Sequence, residues 1–128
     1  MKKVVLLYGL APEQEKQLKQ LLLPHKLSVR SVPPEEYGLP LGAAAGWTPR
    51  PNAVDIPEEK PQGAFLVMGN LLPEELNRVL AACRKAGVGR EIIKAVITPH
   101  NVEWNACQLY RQVLEEHRAM HGQTPGQG

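Results

Sequence analysis

Two short apolar runs constrain this chain more than anything else in it. Lys3 to Tyr8 and Ala64 to Met68 are almost free of polar residues, and each stops at a glycine, Gly9 and Gly69. A strand with one face in water alternates apolar and polar side chains. A short continuous apolar run instead predicts a strand covered on both faces, in the middle of a sheet. Each run is followed within one turn by the same kind of helix start. Pro12 precedes Glu13 and Glu15, and Pro73 precedes Glu74 and Glu75. Proline is tolerated at a first helical position because that N–H has no partner there, and acids complement the positive end of the helix dipole. The chain therefore repeats one plan, strand then helix, in its two halves.

The remaining elements follow from the same patterns. Leu18, Leu21 and Leu22 form a helical stripe that Pro24 stops, and Leu27 to Val32 alternates as an edge strand does. In the second half Leu76, Val79, Leu80 and Cys83 share a helix face, with Gly87 as a left-handed cap. Ala95 to Ile97 is a fourth strand. A last helix is expected from about Pro99 to about His117 or beyond, capped by Thr98 or Asn101. The order is βαβ, long connection, βαβ, α, an α/β fold with a four-stranded sheet. An open parallel sheet in the order 2-1-3-4, with helices on both faces, is preferred because the connecting segment is far too long for a hairpin. The alternative is a ferredoxin-like split βαβ with an added C-terminal helix. Residues 1–121 are expected to form one domain. Within it, 33–63 is a long loop holding seven of the twelve prolines. Residues 122–128 lack apolar side chains and read as a disordered tail.

Composition narrows the function classes. A net charge of +2 over 128 residues is too weak to argue for nucleic acid or an anionic membrane. No run approaches the roughly 20 apolar residues of a membrane span. Met1 to Tyr8 has a signal-peptide flavour, but its apolar stretch ends at Gly9 and reads as a first strand. Cys83 and Cys107 fall within predicted helices, as reduced thiols of a cytoplasmic protein do. No nucleophile–base motif and no paired zinc-ligand motif is present, so no catalytic residue, cofactor or metal is expected. His117 and His121 stand at chelating spacing, without a third ligand. Arg84, Lys85, Arg90 and Lys94 surround a helix C-terminus, where cations are favoured in any case.

The one segment exceeding the needs of a fold is Lys94-Ala-Val-Ile-Thr-Pro-His-Asn-Val-Glu-Trp104. It turns from a strand into a helix, the corner at which open α/β sheets bind ligands. Lys94, Thr98, His100, Asn101 and Trp104 are the candidate ligand- or partner-binding residues. On a helix beginning at Pro99, Trp104 lies off the apolar stripe, on the flank with Arg111 and Glu115. It is therefore either covered by the 33–63 loop or available to a pocket or partner.

This segment, preceded by Val67-Met68-Gly69 and by a helix ending Arg84-Lys85-Ala86-Gly87-Val88, resembles a family of small bacterial proteins known only as domain of unknown function 3783. The likeness extends over most of residues 1–117 and is weakest in the loop. Its matching corner positions are Lys94, Thr98, Pro99, Asn101 and Trp104. The resemblance implies a cytosolic bacterial protein and no particular activity. Three functions compete: an interaction module for a protein partner or a second copy, a small-ligand site for an anion or nucleotide, and an enzyme using His100 as base. The first is favoured because catalytic partners are missing.

Overall fold

The computed structural model describes residues 1–55, 57, 61, 63–89 and 92–123. Strand β1 (Val4–Tyr8) leads to helix α1 (Pro12–Leu22), a 3-10 turn and strand β2 (Ser28–Val32). The long connection holds a 3-10 turn at Pro34–Glu36 and a short helix α2 (Leu41–Ala44). Strand β3 (Phe65–Gly69), helix α3 (Pro73–Lys85), strand β4 (Ile93–Val96) and helix α4 (Ala106–Gln123) complete the described chain. Arg90 and residues 124–128 of the expected tail lie outside the described residues, as do the side chains of His117 and His121.

The sheet order is β2-β1-β3-β4, as the two apolar runs require: every residue of central strands β1 and β3 is buried. One feature differs from the expected sheet. Each βαβ unit is parallel within itself, but β1 and β3 run antiparallel, with Leu6 opposite Val67. The pairing is therefore mixed and is neither all-parallel nor the split βαβ arrangement. The length of the 33–63 segment excludes a hairpin but does not set the direction in which the chain re-enters the sheet.

That direction decides how the faces are covered. Crossovers of one hand, stepping outward from two antiparallel central strands, place both their helices on the same face. Leu18 and Leu22 of α1 accordingly pack with Val79, Ala82 and Cys83 of α3 over Val5, Leu7, Leu66 and Met68. The opposite face, with Val4, Leu6, Tyr8, Phe65 and Val67, is covered by the connection and α4, through Leu39, Leu41, Ala106 and Leu109. Tyr8 stacks on Phe65 there, ring centroids 4.4 Å apart, and burial pushes its phenol well above the ordinary tyrosine range. Residues 37–45 of the 33–63 segment thus contribute core.

Local chemistry fixes the helix ends. Glu75 Oε1 accepts the Leu72 N–H (2.8 Å) at the start of α3, and Oε2 pairs with Lys3 (2.9 Å) beside β1. The Leu72 N–H, then the Lys3 ammonium, hold this carboxyl below its ordinary range. Gln14 makes the corresponding bond to Ala11 N at α1. Helix α3 ends as expected at Gly87 (φ 75°), where Val88 N donates to Cys83 O (2.8 Å) and Gly87 N to Arg84 O (3.3 Å). Cys83 and Cys107 are buried on opposite faces of the sheet and form no disulfide.

Candidate functional site

The helix does not begin at the Thr-Pro-His-Asn corner. Residues 98–104 form a separate turn, and α4 starts at Ala106. Two reciprocal side-chain pairs occur in succession. In the first, Thr98 N donates to Asn101 Oδ1 (2.9 Å) while Asn101 N donates to Thr98 Oγ1 (3.2 Å). In the second, Gln108 N donates to Asn105 Oδ1 and Asn105 N to Gln108 Oε1, both at 2.9 Å. The second is the capping box that starts α4. Its sequence signal, a capping residue followed three positions later by glutamine, was present in Asn105 and Gln108. The more conspicuous Thr98-Pro99 upstream masked it.

The last helix begins at Ala106 rather than near Pro99, and Trp104 lies in the corner rather than on a helix flank. Its half-buried ring packs at the margin of the α4-side core and meets the His100 ring edge-on, with centroids 5.0 Å apart. The connection does approach this corner, but through backbone. Leu41 N donates to Trp104 O (2.8 Å) and Gly42 N to Val102 O (2.9 Å). A Cβ on Gly42 would stand 2.9 Å from Val102 Cγ2, so only glycine permits that approach. Trp47 lies elsewhere, its ring against Gly69 and its Nε1 donating to Lys2 O (2.9 Å).

The five candidate residues divide by what their atoms touch. Asn101 is buried, and its Nδ2 donates to Val96 O (3.1 Å). Thr98 spends its hydroxyl and N–H on the same turn. Lys94 Nζ donates to Ile92 O (2.9 Å) and Gly89 O (3.1 Å), closing the loop after α3. The ammonium therefore serves carbonyls of its own loop. His100 is exposed beside Trp104 and makes no hydrogen bond or ion pair among the described residues. Among these residues no group of three or more His, Cys, Asp or Glu side chains is placed to hold a metal.

What the corner does build is a groove. A depression of about 350 Å³ runs between the outer edge of β4 and α4, with His100, Trp104, Gln112, Val113 and Glu116 among its walls. Strand β4 is the sheet's last strand. Since Ile97 N donates to Met68 O, alternate residues of β4 turn both backbone groups toward β3, and Lys94 and Val96 turn theirs outward. Asn101 caps one of those outward groups, the Val96 carbonyl. The N–H groups of Lys94 and Val96 and the Lys94 carbonyl face the groove side. The Val96 side chain is 42% exposed on the α3 face. Groove residues Gln112, Val113 and Glu116 had carried no functional signal in the sequence, because only the fold sets α4 beside the edge strand.

No described helix is long and apolar enough to cross a membrane. Searches of the curated proteins and of the solved structures each found no match. The family comparison did find one, over residues 64–120. Residues 1–63, included in the likeness read from the sequence, lie outside it. The matched segment holds β3, α3, β4, the corner and most of α4, which is every element that forms the groove except the connection stitched behind it: this part of the chain is similar to a domain of unknown function, DUF3783.

Proposed function

We propose that the protein is a non-enzymatic interaction module that binds an extended polypeptide segment along the outer edge of β4. The observation that carries this reading is the open strand edge beside a half-buried indole. Outward N–H and C=O groups recurring every second residue are matched by another strand, which supplies affinity through backbone bonds and specificity through alternate side chains. Trp104 and His100 form the aromatic wall, Lys94 contributes its backbone, and Thr98 with Asn101 fix the end of the docking edge. A small anion is the weaker reading, because Lys94, Thr98 and Asn101 already spend their polar atoms inside the protein. A cytoplasmic setting suits two buried cysteines kept as thiols.

The test uses the direction of one N–H. Proline at position 96 removes an outward donor while leaving the β3 ladder intact. Peptides selected from a displayed library against the wild-type protein are expected to lose at least about tenfold in affinity for Val96→Pro and for Trp104→Ala, with both variants still folded by circular dichroism. Light scattering on the same samples separates peptide binding from pairing of two copies. Failure to select any peptide, or undiminished binding by both folded variants, removes the reading.

A further inference from the structure

A second concavity lies far from the groove, outside the family match, and nothing above explains it. It opens where β1 and β2 begin, on the face covered by α2, and encloses about 270 Å³. Its walls carry three cations, Lys2, Arg30 and Arg50, and no acid. Its apolar floor is Val4 with Ala43, Ala44 and Ala45, all buried.

The cations come from three separate parts of the chain, so the fold has gathered them. Glu36 stands behind the wall and accepts from both guanidiniums, from Arg30 Nη2 and Arg50 Nη2 at 2.5 Å each. Burial opposes its ionisation, but the hydrogen bond and charge of Arg30, then Arg50, prevail and hold its carboxyl below the ordinary range. Arg30 Nη1 also donates to Ala44 O (3.4 Å). One carboxylate thus positions two arginines, and Lys2 adds a third positive charge. Three cations against one acid leave the site two charges in excess. A planar guanidinium holds further N–H groups in a fixed fork, and bidentate recognition of phosphate uses that geometry.

We propose that this pocket binds a phosphate dianion, the terminal group of a phosphate monoester or inorganic phosphate itself, on Lys2, Arg30 and Arg50. The charge of the ligand matches the excess charge of the site, and the alanine floor leaves room for a small apolar part of an ester. Glu36 is a positioning residue here, since it reaches the ligand only through the arginines.

Inorganic phosphate is the first probe, titrated at low ionic strength into the full chain with chloride at matched ionic strength as control. Phosphate is expected to raise the melting temperature by linkage, and chloride is not. In the wild-type protein, amide chemical-shift changes are expected to centre on residues 43–46. Arg50→Ala and Lys2→Ala should each weaken phosphate binding about tenfold, the worth of one charge-assisted hydrogen bond. Lys19→Ala, an exposed change on α1, should not. Dimethyl phosphate, a tetrahedral diester monoanion with two of its oxygens methylated, should bind more weakly than phosphate, and glycerol phosphate at least as well. Shift changes centred elsewhere, an equal response to chloride, or undiminished phosphate binding by both variants would overturn the proposal. The shift map needs no variant, so a misfolded mutant leaves the test decisive. Loss of this site would leave the β4-edge reading standing, because the two share no residue.

Discussion

Asn101 has both heteroatoms of its side chain engaged within the protein. Its Oδ1 takes the Thr98 N–H, and its Nδ2 closes the Val96 carbonyl on the open side of β4. A buried amide that terminates a strand edge is a structural part before it is a ligand contact. Asn101→Ala is therefore expected to lower stability by about 1–3 kcal/mol, the cost of leaving buried polar groups without partners. Urea denaturation with far-UV detection measures this. Asn101→Asp separates the two bonds, because a carboxylate keeps the acceptor and sets negative charge against the Val96 carbonyl. A stable Asn101→Ala variant would mean that the amide is not what holds the corner. Of the five residues singled out in the sequence, Trp104 and His100 face the groove, and the other three are engaged in building it. The sequence displays residue types at a corner. It does not display which carbonyl lies within reach of each, and that distinction separates a clamp from a cap.

Elements were legible where local patterns are unambiguous. Strands β1 and β3 announced themselves by unbroken apolar runs, α3 by Pro73 and Gly87, and the edge position of β2 by its alternation. Local pattern alone leaves the start of α4 ambiguous, because two box-like pairs stand seven residues apart and both satisfy the same local rule. What chose between them is tertiary. The backbone between the pairs is committed to Leu41 and Gly42 of the connection, so helix cannot run through it. The opening of α3 gives an element-scale prediction. Glu75 closes the Leu72 N–H and ties α3 to β1 through Lys3, and its carboxyl is held below the ordinary range. A depressed carboxylate contributes stability that is fully present above its unfolded value and is lost as pH falls through its folded value. Stability should therefore decline on the acid side as Glu75 protonates. Glu75→Gln should be less stable at neutral pH and show a shallower acid decline, with Glu36 accounting for part of what remains. Denaturation midpoints across a pH series check this, and parallel curves for variant and wild type would contradict it.

At the scale of the molecule, the two βαβ units meet through the antiparallel β1–β3 seam and the faces it organises. Strand order was readable because burial on both faces forces β1 and β3 to the centre. Their relative direction was not, since it depends on the path of a connection whose residues carry no periodic signal. That direction places α1 and α3 together and hands the other face to Leu39, Leu41 and α4. The family match begins at residue 64 and so cuts along the seam. A fragment holding residues 64–128 would keep β3, α3, β4 and α4, yet expose the β1 side of β3, a fully buried strand. It would also lose Tyr8 from the Phe65 stack and Leu41 from the opposite face. Open apolar strand edges of this kind associate rather than stay single. We therefore predict that the fragment alone shows no cooperative thermal transition and sediments as aggregates, and that mixing it with residues 1–63 restores a transition like that of the full chain. A monomeric fragment with dispersed amide resonances would show instead that the matched segment is a folding unit by itself, with β1, α1 and β2 as an addition packed against its finished edge.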